Sequence, residues 1–348
     1  MNTKLAPLTE AIIPIWERVL GRSRIGVNDN FFDLGGDPST ARELFGEIAK
    51  VCGRELPQET IVRAPTIASL AALLEGTHSP QLPRLIQMRT GAEPPAVFIT
   101  HGIGSNVLEL SQLLRHIQTD RAIYGLQARG IDGVDEPHER IEDMAEYFLD
   151  AVRERQPLGP YILIGYSMGG LVALEMAQRL RESGEKVDLL AMIESFPDRP
   201  FLPMNQLMGI YVRVLKKHLS NVRQLHLRDV PSYIFRSSYR AEFMSRNRLG
   251  VSSRRLPHHL DQAMQRMLAA GYKALAHYRP RPYPGKINFV QAEISVDFPD
   301  NATAVWSGLA AELVVETAPG DHHGVITAHS DVLGSVLSGF LHEALCQE

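Results

Sequence analysis

The segment Tyr161–Gly170 carries residues suited to nucleophilic chemistry, because it reads Y-I-L-I-G-Y-S-M-G-G and sets Ser167 in a G-x-S-x-G pentapeptide. Apolar residues before the pentapeptide predict a strand, and the apolar positions of residues 171–180 recur at helical spacing. A serine on a sharp turn between strand and helix is held in the open, where backbone N–H groups can stabilise an oxyanion. The flanking glycines are expected because a side chain in so crowded a turn would collide with neighbouring backbone. The pattern therefore predicts that Ser167 is a nucleophile.

A serine hydroxyl is a weak nucleophile and needs an adjacent base. In enzymes built on this turn, an acidic residue and then a histidine follow the serine along the chain. His322 and His323 meet that requirement, since they follow an apolar run at 313–317 in a Pro-Gly-Asp turn. The base is therefore expected near the C-terminus, and the acid between the base and Ser167.

The composition is ordinary for a soluble globular protein, with 44% hydrophobic and 22% charged residues. The net charge of −4 favours neither nucleic acid nor a membrane surface as a partner, and we expect neither. No apolar run approaches the roughly 18 residues of a membrane helix, and residues 1–7 lack the apolar core of a signal peptide. No H-E-x-x-H or comparable ligand set predicts a metal. We expect a cytoplasmic protein whose two cysteines are reduced.

Three amphipathic stretches predict a small helical bundle within residues 1–78, with helices over 8–20, 38–52 and 66–74. Pro14 is compatible only with the start of a helix, so the regular part of the first helix is expected to begin near Ile12. The second helix has a strong start signal, because Asp37 can cap it and Pro38 suits its first position.

The rest of the chain reads as an α/β domain. Residues 79–95 are expected to be a linker that includes the start of an edge strand, and residues 96–348 the domain itself. Short apolar runs alternate there with helical stretches, which predicts a doubly wound, mostly parallel sheet with the Ser167 turn at its carboxyl edge. About residues 201–273 lack a strand pattern and are predicted to form a helical lid. The predicted strands are 85–88, 96–100, 122–127, 161–166, 189–193, 287–291 and 313–317.

Three motifs lie within residues 8–75, namely I-W-x-x-V-L-G, D-N-F-F-D-L-G-G-D and A-P-T-I-A-S-L-A-A-L-L. The region resembles the four-helix, all-α peptidyl or acyl carrier domain of a modular synthetase. In that family the residue after G-G-D is a serine that bears phosphopantetheine. Here Pro38 stands at that position and Ser39 follows it, a rotation of about 100° along a helix. Either Ser39 carries the phosphopantetheine, or the domain has lost it and serves as a docking or stabilising module.

The second region carries the motifs H-G-I-G-S-N, Y-G-L-Q-A-R-G and P-G-D-H in addition to the serine turn. From about residue 83 onwards it resembles the α/β-hydrolase thioesterases that end nonribosomal peptide and polyketide assembly lines. The resemblance implies that His322 is the base. It also implies an oxyanion hole formed by the backbone amides of Met168 and Ile103.

Glu194 is the expected acid, and three other carboxylates stay open as alternatives. The family usually has aspartate directly after the strand that follows the serine helix, and Glu194 occupies that position. Glutamate can also orient an imidazole and stabilise its charged form. Some α/β hydrolases take the acid from the end of the next strand, which would be Glu293 or Asp297. Asp198, in the loop after Glu194, is a further choice.

The resemblance implies cleavage of an acyl or peptidyl thioester from a phosphopantetheine carrier through an acyl-Ser167 intermediate, with hydrolysis or cyclisation. The expected partners are the thioester substrate and carrier domains of a synthetase, in cis or in trans. Alternatives are a trans-acting editing thioesterase, an acyltransferase or carboxylesterase with the same residues, and a non-enzymatic docking module.

The lid adds a hypothesis about partners, because its residues 213–255 hold eleven Lys and Arg against two acidic residues, Asp229 and Glu242. Such a surface could receive an acidic carrier helix or the phosphate of a phosphopantetheine arm. The basic residues are Arg213, Lys216, Lys217, Arg223, Arg228, Arg236, Arg240, Arg246, Arg248, Arg254 and Arg255.

Overall fold

The N-terminal region is helical, and the rest of the chain is built on a single sheet. The computed structural model describes residues 5–53, 56, 60–76, 83–104, 106–131, 133–224 and 262–346. Within these ranges the N-terminal helices are α1 Leu5–Leu20, α2 Pro38–Cys52, α3 Thr60–Arg63 and α4 Ile67–Leu74. Helix α3 is too short to produce a helical periodicity, so the sequence does not predict it.

Two helix starts in this region test the sequence rules. The expectation that α1 begins near Ile12 was wrong, since α1 starts at Leu5 and contains Pro14. The proline removes one backbone hydrogen bond from the helix, but it lies on the exposed side of α1, and Ile12 on the opposite face is fully buried. Helix α2 starts as predicted, because an Asp37 carboxylate oxygen accepts the Thr40 N–H (2.9 Å) while the Thr40 hydroxyl accepts the Asp37 N–H (2.7 Å).

Within the described ranges, seven strands form one sheet in the order β1-β3-β2-β4-β5-β6-β7. Strand β1 at one edge pairs antiparallel with β3, and every other pair is parallel. The doubly wound, mostly parallel sheet predicted from the sequence is confirmed. Its strands are β1 Leu85–Arg89, β2 Ala92–Thr100, β3 Arg121–Leu126, β4 Tyr161–Tyr166, β5 Val187–Ile193, β6 Tyr283–Ile294 and β7 Ala310–Asp321.

Helices cover both faces of the sheet, and buried apolar residues fill both layers between helices and strands. Residues of α6 and α7 share one buried cluster, and those of α5 and α11 the other. The helices after β2 are α5 Ser111–His116, α6 Ile141–Arg155, α7 Met168–Glu182, α8 Met204–Gln224, α9 Gln262–His277, α10 Ala302–Trp306 and α11 Ser330–Leu345. The predicted lid, residues 201–273, contains α8 and the first part of α9, and both helices are described. The stretch between them lies outside the described residues.

The loop that contains the G-G-D motif contacts the edge of the sheet near the amino ends of its parallel strands. The Asn30 side-chain amide donates to the Gln87 carbonyl (2.8 Å), and the Thr90 N–H donates to Asp33 (3.1 Å). The Arg115 guanidinium at the end of α5 donates to the Gly35 carbonyl and to Asp37.

Among the described helices, none is long and apolar enough to span a membrane.

Candidate active site

Ser167 occupies a single-residue turn between β4, which ends at Tyr166, and α7, which begins at Met168. Its backbone has φ 55° and ψ −122°, a conformation that non-glycine residues rarely adopt. The Ser167 N–H donates to the Ile193 carbonyl at the end of β5 (2.8 Å), which holds the turn against the neighbouring strand. This strained turn is what the G-x-S-x-G pattern predicts.

The glycines of the turn are there because backbone approaches backbone. A Cβ atom on Gly165 would lie 2.4 Å from the Gly169 carbonyl oxygen, and one on Gly169 would lie 2.3 Å from the His101 carbonyl oxygen. Real Cβ contacts are never so short. The N-terminus of α7 therefore packs directly against the end of β2, as the crowding argument from the sequence predicts.

The structure brings Ser167, His322 and Glu194 together at the carboxyl edge of the sheet. His322 Nε2 lies 3.0 Å from Ser167 Oγ, and His322 Nδ1 lies 3.2 Å from Glu194 Oε2. The Glu194 side chain is fully buried, and its other oxygen accepts the Ala292 N–H (2.7 Å). Glu194 also has a positive φ of 48°. This arrangement can orient an imidazole to take a proton from a serine hydroxyl.

The sequence also offered three other carboxylates for the acid and one other histidine for the base. Glu293 and Asp297 are exposed, and Asp297 faces Lys217 at 3.9 Å. Asp198 is buried at the start of the short turn that leads to the lid. His323 is exposed beside His322.

Two aromatic rings enclose the His322 imidazole. The Phe298 ring stacks on it with centroids 4.0 Å apart and planes 17° apart, and the Tyr166 ring lies 5.2 Å away on centroids. The Tyr166 hydroxyl also donates to the His322 backbone carbonyl (2.7 Å). The sequence places Tyr166 next to Ser167 but gives no sign of its contact with His322. Phe298 lies in the loop after β6 and has no sequence signal.

Ile103 and Met168, the predicted oxyanion residues, lie beneath lid helix α9. A Cβ atom on Gly271 of α9 would lie 2.7 Å from Ile103 Cγ1 and 3.4 Å from Met168 Sδ. Met168 is buried and Ile103 half-buried. The helix therefore covers both residues closely, and glycine at position 271 permits that approach.

The loop that carries Ile103 is tied down by polar groups. The Gly102 N–H donates to Glu109 Oε1 (2.6 Å), and burial raises the pKa of the Glu109 carboxyl to about 7. His101 is buried, and its Nδ1 lies 2.7 Å from the Gly102 carbonyl oxygen that can accept its proton. Burial lowers the pKa of His101 to about 4, so its ring is neutral near pH 7.

A largely apolar pocket opens beside Met168. Helices α6, α7 and α9 each contribute residues to its lining. A guanidinium and two imidazoles add polar groups to its wall. The lining residues are Thr100, His101, Ala128, Arg129, Pro137, His138, Met144, Phe148, Met168, Gly169, Val172 and Met267.

Part of the basic lid surface is engaged within the chain. Arg213 of α8 donates to the Phe298 carbonyl (2.8 Å) and pairs with Asp300. Lys217, one turn later, faces Asp297. These contacts fasten α8 to the loop that carries Phe298. The seven arginines from 228 to 255 lie outside the described residues.

Comparison with known proteins identifies both regions. Residues 95–206 match the family model of the thioesterase domain, and residues 10–74 match that of the phosphopantetheine attachment site. The chain carries a carrier region followed by a thioesterase domain.

The dimodular nonribosomal peptide synthase of Bacillus subtilis (strain 168) is 39% identical over 201 residues, which are 58% of this chain and 8% of that relative. The malpinin synthetase of Mortierella alpina is 32% identical over 240 residues, 68% of this chain and 3% of that relative. The chain thus spans a small part of the length of both.

Solved structures share the fold of both regions. A four-domain nonribosomal peptide synthetase, crystallised in its holo form with AMP and glycine, aligns over 96% of this chain and 26% of its own, with a TM-score of 0.56 and 23% identity. The NocB thioesterase domain, in covalent complex with a fluorophosphonate nocardicin G analog, aligns over 73% of this chain and 95% of its own. Its TM-score is 0.50 and its identity 24%. At these identities the likeness concerns the fold.

The carrier region departs from its family at the attachment position. Pro38, the first residue of α2, has no hydroxyl and cannot form a phosphodiester. The Ser39 hydroxyl, at the next helical position, belongs to an exposed residue. The preceding Asp37 caps α2 and pairs with Arg115 of the thioesterase domain. The residue that follows G-G-D therefore does not fit a phosphopantetheine group.

Within the described ranges, no cluster of three or more His, Cys, Asp or Glu residues could hold a metal ion.

Phe298 offers a test of how the imidazole is held. Replacing Phe298 with leucine keeps an apolar side chain but removes the stacked ring, so His322 should lose orientation. We expect kcat for thioester hydrolysis to fall about fivefold, since an aromatic pair contributes on the order of 1 kcal/mol. Steady-state kinetics on a short acyl thioester would measure the change. Phe196→Leu, which removes a ring that stacks on Phe298 rather than on His322, is the matched control and should leave kcat nearly unchanged. Equal losses in both variants would contradict a specific role for the Phe298 stack.

Proposed function

We propose that the thioesterase domain cleaves acyl or peptidyl thioesters presented on phosphopantetheine carriers, through an acyl-Ser167 intermediate. The observation that carries the proposal is the series of contacts from Ser167 Oγ through His322 to the buried Glu194 carboxylate. The match to the thioesterase family model and the carrier region that precedes it support a thioester as the bond cleaved.

The first half of the reaction acylates the enzyme. Ser167 Oγ attacks the thioester carbonyl carbon while His322 Nε2 takes the hydroxyl proton. Glu194 accepts the His322 Nδ1–H and stabilises the charged imidazole. In this mechanism the backbone amides of Met168 and Ile103 donate to the tetrahedral oxyanion and stabilise it. The carbon–sulfur bond then breaks, the imidazolium returns its proton to the leaving thiolate, and an ester to Ser167 remains.

The second half releases the acyl group. A water molecule gives up a proton to His322 and attacks the ester carbonyl, and Ser167 regains its proton as the acid departs. An amine or hydroxyl of the acyl chain itself would give a lactam or lactone by the same steps.

The choice of acid can be tested against the sequence alternatives. Glu194→Gln keeps the size of the side chain but removes the charge that stabilises the imidazolium. We expect kcat to fall by a factor of about 100 to 10,000, with Ser167→Ala inactive. Glu293→Gln and Asp297→Asn are matched controls, since Glu293 lies at the end of β6 and Asp297 in the loop after it, and both side chains are exposed. Both variants should keep kcat within about threefold.

Hydrolysis of an acyl N-acetylcysteamine thioester, followed by thiol release, would measure all four variants. A large loss in Glu293→Gln or Asp297→Asn with little loss in Glu194→Gln would contradict the assignment. Full activity in Ser167→Ala would contradict the proposed mechanism as a whole.

We further propose that the carrier region of this chain has lost its arm, so that Ser167 acts on thioesters delivered by other carriers. Pro38 at the attachment position supports this reading, as does the contact of Arg115 with the same loop. Incubation with coenzyme A and a broad-specificity phosphopantetheinyl transferase should leave the intact mass of the chain unchanged. A carrier domain with serine after G-G-D is the positive control. A mass gain of one phosphopantetheine that disappears in Ser39→Ala would contradict the proposal and make the region a working carrier.

A further inference from the structure

Glu109 is a half-buried carboxylate that the proposed catalytic steps do not use. It lies in the 3-10 turn Val107–Leu110, which follows β2 and the loop that carries Ile103. The turn itself is anchored at its start, because the Asn106 side chain accepts the Leu108 N–H (2.9 Å). Glu109 Oε1 accepts the Gly102 N–H at 2.6 Å, so its side chain spans back to the beginning of the same loop.

Gly102 is confined between two side chains. A Cβ atom at this position would lie 3.1 Å from the Tyr166 ring and 3.3 Å from Glu109 Oε1. Tyr166 directly precedes Ser167, and its hydroxyl donates to the His322 carbonyl. Gly102, which directly precedes Ile103, therefore lies between the Glu109 carboxyl and the Tyr166 ring. Tyr166 in turn contacts the segment that carries His322.

Among the described residues, no cation acts on the pKa of the Glu109 carboxyl. Burial is the main cause that raises its pKa, and the Gly102 N–H acts in the opposite direction. Among the described residues, Tyr166 is a titratable group that interacts with Glu109, and its own pKa is raised by burial and by Glu109, Glu194 and Asp321. The carboxyl thus sits where ionisation is costly, beside a loop whose geometry the chemistry depends on.

We propose that Glu109 is a positioning residue: its carboxyl oxygen holds the Gly102 N–H and thereby fixes the loop that presents the Ile103 amide to the oxyanion. This inference rests on the proposed function of the site. Oxyanion donors act only when they are held in place before the reaction, since their contribution comes from geometry that needs no rearrangement. Glutamine at position 109 could make the same hydrogen bond through its amide oxygen, whereas alanine could not.

Kinetics of the Glu109→Ala and Glu109→Gln variants of the full chain test the inference. For an acyl N-acetylcysteamine thioester, Glu109→Ala should lower kcat about tenfold and change KM less than about twofold, because the interaction acts in the transition state. Glu109→Gln should retain kcat within about threefold of wild type. Unchanged kcat in Glu109→Ala, a loss confined to KM, or equal kcat losses in both variants would overturn the proposal.

A second readout does not depend on thioesters. The rate of Ser167 labelling by a fluorophosphonate also depends on the donors that stabilise a negatively charged oxygen, so it should fall about tenfold in Glu109→Ala and little in Glu109→Gln. Wild-type labelling without hydrolysis of any thioester would count against the proposed function alone. An equal labelling rate in wild type and Glu109→Ala would overturn the positioning role.

The pH dependence of unfolding checks the state of the carboxyl. The folded pKa of Glu109 lies above its ordinary value, so the fold favours the protonated form. Its contribution to stability is therefore complete at or below the ordinary glutamate pKa and is lost as the pH rises through about 7. The Tm of wild type should fall relative to that of Glu109→Gln between pH 5 and pH 8. Parallel Tm profiles would contradict a raised pKa of the Glu109 carboxyl in the folded protein.

Discussion

The proposed active site depends on two backbone positions with positive φ that end adjacent parallel strands. Ser167 follows β4 and Glu194 follows β5, and each turn is held by a hydrogen bond to the next strand. The Ser167 N–H donates to Ile193, and the Glu194 N–H donates to Val290 of β6. Such conformations cost about 1–3 kcal/mol each and persist only where the surrounding structure enforces them. The register of β4, β5 and β6 is thus the constraint from which the positions of both side chains follow.

The buried Glu194 carboxylate is held in place by the same strands. A carboxylate without solvent needs hydrogen bonds to its oxygens, and here one oxygen accepts a β6 backbone N–H while the other faces His322. The imidazole in turn lies between the rings of Phe298 and Tyr166. Because Arg213 of helix α8 donates to the Phe298 carbonyl, α8 is fastened to the loop whose ring stacks on the His322 imidazole. Gly271 of lid helix α9 lies close to the side chains of Ile103 and Met168.

Much of this arrangement follows from the sequence. Apolar runs gave the strands and helices, and the glycines around Ser167 indicated a crowded turn, because these signals are local. The sequence could not separate Glu194 from Glu293 and Asp297, since all three lie at or just beyond strand ends. The structure distinguishes them by burial, which depends on what packs over each strand. Phe298 and Glu109 gave no signal, because their roles arise from contacts with distant segments or from a loop that folds back. A charged residue in the apolar turn V-L-E-L would ordinarily be expected to face solvent.

The measurement that tests the account most directly is the intact mass of the chain during turnover of an acyl N-acetylcysteamine thioester, with samples quenched in acid within the first turnover. The account predicts a mass gain of one acyl group, located by peptide mapping on the segment that contains Ser167 and absent from Ser167→Ala. A stoichiometric burst of thiol should accompany it. Thiol release without any adduct, or an adduct that persists in Ser167→Ala, would contradict an acyl-Ser167 intermediate.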